Sequence, residues 1–374
     1  MAAATLAVVW LSGCALQPSL DEFLDSPGPN KTALRPAPPG ENIDPGAIYS
    51  RISPSIVTVI TDIDGDESAE AIGTGWAIGD GYVVTNTHVV ADLSAYKRAK
   101  NVYLQLSGGQ RLPAEITGTD AHADLAVLHS RALERMDIPA LKVSRTEPRV
   151  GDPVVAIGSP LGETNSLSVG YVTGLDRSIP GLGGFKIEGA IQTDASITLG
   201  NSGGPLLDRR GHVIGVNDQI KSIGGGGEGL AFAIPAEKVR RSTGQLIKNG
   251  RVRYAYLGVE TRPVWPELAH FLGLPDTPGV LVGDIREGSP AEAARLHGGY
   301  FDVSFQGSRL IAGGDMIISI GRQKLRPNEK LVTVLERFRP GQAVEVGFVR
   351  DGREQSLRIE LGERPLIKEN ALGF

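Results

Sequence analysis

The chain has 374 residues, 41% of them hydrophobic and 22% charged, with a formal net charge of −5, which suits a globular protein of about two domains. The mildly acidic balance and the lack of a basic block exclude nucleic acid as the main partner. The single cysteine, Cys14, excludes an intramolecular disulfide framework, and no Cys/His cluster has zinc-ligand spacing, so neither a metal nor another cofactor is expected. Apolar runs stay short of the ~18 residues that a spanning helix needs, and 49 glycines with 5% aromatics suit a β-rich chain with many tight turns.

Residues Ala2 to Leu11 are nearly all apolar and lead into Leu11-Ser12-Gly13-Cys14. This pattern fits a secretory segment with a small-residue processing site. Leu-Ser-Gly-Cys resembles a bacterial lipoprotein signal, in which the cysteine thiol is lipidated. That implies a membrane partner through Cys14. The other reading is an ordinary signal peptide with an incidental cysteine. No Lys or Arg precedes Cys14, which departs from the positively charged start of either kind. Ala15 stands where an aspartate would hold a lipoprotein at the inner membrane, so the reading favours an outer-membrane anchor facing the periplasm.

Residues 15–47 read as a tether. Pro18, Pro27, Pro29, Pro36, Pro38, Pro39 and Pro45 remove backbone donors and oppose helix, and such a stretch spans on the order of 30 Å. Residues 48–250 then carry twelve short alternating or β-branched runs, from Ser55–Thr61 to Gly229–Ile234. Each is bounded by Gly, Pro, Asn or Asp, the pattern of a sandwich or barrel. A closing helix is expected over Ala236–Lys248, with Val239, Thr243, Leu246 and Ile247 on its apolar side and Gly250 beyond its end. After a polar hinge at Asn249–Arg253, residues 254–362 read as a small α+β module. Its strands are Tyr256–Glu260, Gly279–Ile285, Met316–Ile320, Ala343–Arg350 and Glu354–Leu361; its helices are Pro290–Leu296 and Pro327–Phe338. Residues 363–374 form a tail.

The segment Gly200-Asn201-Ser202-Gly203-Gly204-Pro205 carries the most chemistry. A serine hydroxyl needs a base within hydrogen-bond reach and backbone N–H groups aimed at a developing oxyanion. The segment also matches the nucleophile elbow of an α/β-hydrolase, but an elbow runs into a helix and precedes its acid and base. Here the motif runs into a strand, so the partners belong upstream. His88 qualifies, in Thr85-Asn86-Thr87-His88-Val89-Val90, where a buried strand delivers it to a polar turn. His122, His129, His212, His270 and His297 have no distinctive setting. Asp124, at the mouth of Asp124-Leu125-Ala126-Val127-Leu128, is placed to take a histidine proton; Asp120 is its nearest rival but does not abut the strand. The order His88, Asp124, Ser202 is the chymotrypsin order.

These motifs resemble the HtrA/Deg family of serine proteases. So do Ile191-Gln192-Thr193-Asp194-Ala195, Ile157-Gly158-Ser159-Pro160-Leu161-Gly162 and Gly229-Leu230-Ala231-Phe232-Ala233-Ile234-Pro235. The terminal module resembles a PDZ domain, with Tyr256-Leu257-Gly258-Val259 at its carboxylate-binding loop and Gly288-Ser289-Pro290-Ala291 and Gly313-Gly314-Asp315-Met316-Ile317 at later elements. The resemblance implies a mainly β protein: a two-barrel chymotrypsin-like protease domain followed by a small α+β PDZ domain. It implies an ATP-independent serine endopeptidase with His88 as base, Asp124 as orienting acid and Ser202 as nucleophile. The N–H groups of Gly200 and Ser202 form the oxyanion hole. Ile197, Ile220 and Leu230 line an apolar first specificity pocket, so small or medium aliphatic residues precede the cut. The implied partners are unfolded polypeptide substrates, C-terminal peptides at the PDZ domain and further copies of the chain in a trimer. Arg177 falls in the family's sensor loop and is expected to relay PDZ occupancy. Gly224–Gly227, beside the specificity pocket, predicts a mobile loop, and the long connection His297–Ala312 has no assigned role. The competing reading is a chaperone or PDZ-led scaffold whose proteolysis is mostly silent.

Overall fold

A computed structural model describes residues 43–62, 71–92, 97–159, 166–198, 200–222 and 229–366. Cys14, the leader, nearly all of the tether, the Gly224–Gly227 loop, Pro160–Gly162 and most of the tail lie outside the described residues.

The first described element is the helix Pro45–Ile52, which begins inside the segment expected to be tether. Asp44 explains this: its carboxylate accepts the N–H of Ala47 as an N-cap, and Pro45 occupies the one helical turn where proline is tolerated. Ile48 and Ile52 are buried and join the layer between the two barrels described next.

Twelve of the described strands that follow form two barrels. β1 (Ile56–Thr61), β2 (Ala71–Gly79), β3 (Tyr82–Thr85), β4 (Val102–Gln105), β5 (Arg111–Asp120) and β6 (Leu125–His129) close a barrel in the order β1-β2-β3-β6-β5-β4. β7 (Pro153–Gly158), β8 (Ser166–Pro180), β9 (Lys186–Thr193), β10 (Pro205–Leu207), β11 (Val213–Ser222) and β12 (Gly229–Pro235) close a second barrel in the order β8-β9-β12-β11-β10-β7. The alternation along β4 sets the rule for the first: Val102 and Leu104 face in, Tyr103 faces out. β1 is buried along its whole length because its two faces serve two cores. Val57 and Val59 fill the first barrel, while Ile56 joins Trp76, Leu125, Val155, Ile157, Leu207 and Val216 between the barrels. Each such side chain contributes roughly 1.5–3 kcal/mol on burial. Thr58 Oγ1 and Ser159 Oγ, 2.6 Å apart, hydrogen-bond across the same seam.

The helix Ala236–Asn249 closes the protease region and ends on Gly250 at φ +69°. Its buried stripe is Ala236, Val239, Ser242 and Leu246. Ser242 is buried in place of the expected Thr243 because it donates to Asp120, and Ile247 is exposed. The expected hinge is pinned rather than free. Arg251 bridges Thr119, the Tyr254 hydroxyl donates to Asp120 over 2.6 Å, and Arg253 pairs with Glu363.

The terminal module has a sheet in the order β13 (Val259–Val264), β14 (Gly279–Ile285), β15 (Met316–Ile320), β16 (Ala343–Arg350) and β17 (Arg353–Glu360). Its core gathers Leu257, Val282, Ile317, Val334, Val346 and Phe348. Both expected helices are shorter than their sequence patterns. Pro290–Ala293 stops before Arg295, which takes φ +58°, and Leu331–Leu335 starts after Asn328, at φ +59°. Two elements were not anticipated. The helix Pro266–Leu272 is only two turns long, and the connection His297–Ala312 folds as a hairpin pairing Phe301–Phe305 with Ser308–Ala312. Together they cover a second apolar cluster around Leu268, Leu281, Leu310 and Met316.

Candidate active site

The site is built where the first barrel meets the second. β3 ends at Thr85, and the next three residues are tied to the turn between β5 and β6. Asn86 Nδ2 donates to the Asp124 carbonyl over 2.7 Å, and Thr87 Oγ1 donates to the Leu125 carbonyl over 2.8 Å. Asp124 sits at φ +49°, a left-handed position that turns its carboxylate back toward the helix Thr87–Val90. Its two oxygens then hold His88 twice: Oδ1 accepts the His88 backbone N–H at 3.0 Å and Oδ2 meets Nδ1 at 2.5 Å. Desolvation alone would lower the His88 pKa, but the charge and hydrogen bond of Asp124 outweigh it and hold the imidazole above the ordinary histidine value. Asp120, the rival acid, does other work: it is buried against Ser242 and Tyr254.

Ser202 is held by a different set of contacts. Gly200 and Gly203 have φ +96° and +86°. A Cβ on Gly203 would lie 2.2 Å from the Thr74 carbonyl oxygen, and one on Gly204 2.3 Å from that of Ile157, so both positions require glycine. Thr74, buried on β2, clasps the segment. Its N–H donates to the Ser202 carbonyl at 2.8 Å, its Oγ1 donates to the Gly200 carbonyl at 2.5 Å, and the same oxygen accepts the N–H of Ser159 at 2.9 Å. Thr74 belongs to none of the motifs; its one signal in the sequence is a lone polar residue between Gly73 and Gly75 on a strand. Among the described residues the N–H groups of Gly200 and Ser202 have no protein acceptor. The Ser202 hydroxyl donates to the Asp218 backbone carbonyl at 3.1 Å, and no hydrogen bond joins it to His88 among the described residues. His88 and Asp124 are therefore engaged with each other, while the Ser202 hydroxyl is bonded elsewhere.

The remaining expected residues are placed as follows. Ile197 packs with Val172, Ile191 and Leu206 inside the second barrel, and Leu230 packs with Ile179, Ile187 and Phe232. Ile220 lies on β11. Arg177 donates to Gln192 at 2.9 Å on the protease surface. The neighbouring Ser178, together with Glu188, meets Lys330 from the terminal module. In the carboxylate-type loop, Leu257 is fully buried and Gly258, at φ +87°, packs onto Ser289. Tyr256 pairs with Gly362, and Val259 opens β13 at the edge of its sheet. Asp218, also unanticipated, brings a third ligating group beside His88 and Asp124, with the three mutually within 4.8 Å.

Two antiparallel barrels with a histidine–aspartate pair facing a glycine-flanked serine define the trypsin-like class of serine peptidases. Residues 73–216 match the trypsin-like peptidase domain and residues 255–361 match the PDZ domain. A probable periplasmic serine endoprotease DegP-like of Bartonella henselae is 36% identical over 299 residues, covering 79% of this chain and 54% of the relative. A protein of the same name from Hahella chejuensis is 35% identical over 303 residues, covering 80% and 59%. The chain thus spans somewhat more than half the length of these relatives. The solved structure of the HtrA-type protease AlgW with tripeptide superposes with a TM-score of 0.72 at 31% identity, over 87% of this chain and 99% of that one. The serine endoprotease from Yersinia pestis superposes with a TM-score of 0.64 at 25% identity. The chain belongs to the HtrA/DegP-like family of serine proteases, with a trypsin-like domain and one PDZ domain. The names of the relatives support a periplasmic location.

Proposed function

We propose that the chain is an ATP-independent serine endopeptidase that cleaves unfolded polypeptides in the cell envelope. The observation that carries this reading is the double hold of Asp124 on His88. It fixes the Nδ1–H tautomer, leaves Nε2 free to take a proton and stabilises the imidazolium that results. Ser202 turns from the Asp218 carbonyl toward Nε2, gives up its proton and attacks the scissile carbonyl. The oxyanion goes to the N–H groups of Gly200 and Ser202, which have no acceptor among the described residues. His88 then protonates the leaving amine, and water repeats the cycle on the acyl-enzyme. The family resemblance, with apolar residues at positions 197, 220 and 230, favours an aliphatic residue before the cut.

Substrate or activator C-termini dock at Tyr256–Val259, adding as a strand to the open edge of β13. Lys330 precedes the helix Leu331–Leu335 and touches Ser178 and Glu188, so occupancy of the PDZ domain reaches the protease there rather than through Arg177. A lipidated Cys14 tethers the protein to the outer membrane, and three copies assemble. The resting direction of the Ser202 hydroxyl favours one second reading, a PDZ-led binding protein whose proteolysis is silent until a ligand arrives. Casein hydrolysis decides between them. The endopeptidase reading expects cleavage by the wild type and none by Ser202→Ala. No cleavage by either, with or without an apolar C-terminal peptide, leaves the binding reading.

A further inference from the structure

β11 runs regularly against β12 except at one point. Asn217 pairs with Ala233 and Gln219 pairs with Phe232, so Asp218 is the extra residue of a β-bulge. Bulges re-aim a side chain beside an active site. Here the bulge aims a carboxyl inward: Asp218 is 3% exposed, and its carboxyl lies within 4.8 Å of the ligating atoms of both Asp124 and His88. The same residue accepts the Ser202 hydroxyl on its backbone carbonyl, so it touches both halves of the site.

As an anion, Asp218 would be badly placed. Neither of its oxygens has a hydrogen-bond donor among the described residues. Among the described residues the titratable groups facing it are His88, from the helix Thr87–Val90, and Asp124, from the turn between β5 and β6; no Lys or Arg pairs with it. Both oxygens of Asp124 are already engaged by His88, so the negative charge of the pair belongs on Asp124. Two carboxylates this close in a dry site do not both ionise. Burial first, then the charge and hydrogen bond of Asp124, push the Asp218 carboxyl well above the usual carboxylate range.

We propose that Asp218 works as a neutral carboxylic acid whose O–H donates to the Asp124 carboxylate, making it a positioning residue that holds the orienting acid in register with His88. The catalytic pair thus becomes a chain from Asp218 O–H to Asp124 to His88, and the proton stays on Asp218 through the cycle. Loss of that proton at alkaline pH places a second anion beside the imidazole and removes a donor from Asp124. Activity should therefore fall on the alkaline side in a step that belongs to Asp218. The inference rests on the endopeptidase reading for its kinetics but not for the protonation state.

The test uses the full chain as wild type, Asp218→Asn and Asp218→Leu. The amide keeps a donor and cannot ionise; leucine keeps the size and has no donor. With a quenched-fluorescent peptide carrying an aliphatic residue before the cut, the leucine variant should lose about tenfold or more in kcat with little change in KM. The asparagine variant should recover most of that loss and lack the alkaline step in its pH profile. Infrared difference spectra of the resting protein at neutral pH should show the C=O band of a buried protonated carboxylic acid, absent from both variants. Equal impairment of the two variants, or no such band in the wild type, overturns the proposal. Stoichiometric zinc binding at neutral pH that Asp218→Asn abolishes would also overturn it, because a cation rather than a proton would then neutralise the pair. If the Ser202→Ala control cleaves the peptide like the wild type, the endopeptidase reading fails, and the infrared band still decides the state of Asp218.

Discussion

The two halves of the candidate site are built to different standards. On the first-barrel side the pair is held from several directions: Asn86 Nδ2, Thr87 Oγ1 and the His88 backbone all bond to the turn around Asp124, and Nδ1 of the imidazole meets the carboxylate. On the second-barrel side the backbone of Gly200–Gly204 is clamped by Thr74 and Asn217, but the Ser202 hydroxyl is directed at a main-chain carbonyl. On the proposed mechanism the base and acid are preorganised, and the nucleophile requires a rotation. On that reading control of the reaction lies on the second barrel, which is also the side that Lys330 reaches through Ser178 and Glu188.

The largest effects should come from joining the two halves. Ser202→Ala and His88→Ala should each lower kcat on the order of a millionfold, and the double variant should be scarcely worse, because the two groups act as one unit. Strongly additive losses would mean the pairing is wrong. Asp124→Asn tests the first half alone. It leaves the shape but permits the wrong tautomer, so kcat should fall about ten-thousandfold with KM little changed.

Thr74→Val tests the second half. It removes the donor to Gly200 and the acceptor for Ser159, which should cost about 1–3 kcal/mol in denaturant unfolding and roughly ten- to a hundredfold in kcat. A variant that is less stable but fully active would show that the clasp is purely structural. Smaller again is Lys330→Met, which should change the response to an apolar C-terminal peptide by about threefold to tenfold, with Arg177→Ala doing less. The reverse ranking would return the relay to Arg177.

A separate, pH-dependent effect concerns the seam with the PDZ domain. His122 lies between Phe185 and Tyr254; burial first, then the charge of Arg364, push its pKa from 6.5 down to about 4. The unfolded chain therefore binds this proton more readily than the folded one between those values. The stability that neutral His122 contributes is full above about pH 6.5 and is lost as pH falls toward about 4, an effect of about 1–3 kcal/mol. Unfolding curves of His122→Gln against the wild type across that window should show a weaker acid dependence in the variant.

What the sequence revealed follows the range of the forces involved. Both barrels were legible because β-branched alternation and glycine boundaries are local. The candidates His88 and Asp124 were legible because each adjoins a short apolar run, and Ser202 because glycines flank it. Thr74 and Asp218 were not, since their importance arises only where distant strands converge, and the strand expected over His212–Asn217 stopped one residue before the bulge. The hairpin at Phe301–Ala312 was hidden by weak alternation with half-exposed faces, and the helix Pro266–Leu272 by flanking prolines that read as loop. The Lys330 contact joins two domains, and no local pattern marks such a pair.

The central claim is that Ser202 is a nucleophile activated by His88, and covalent labelling tests it most directly. The full chain treated with a fluorophosphonate, digested and read by mass spectrometry should carry one adduct, on Ser202. An apolar C-terminal peptide should speed its formation, and His88→Ala should abolish it. Full casein cleavage without an adduct on Ser202, or equal labelling of Ser202 in His88→Ala, would contradict the account.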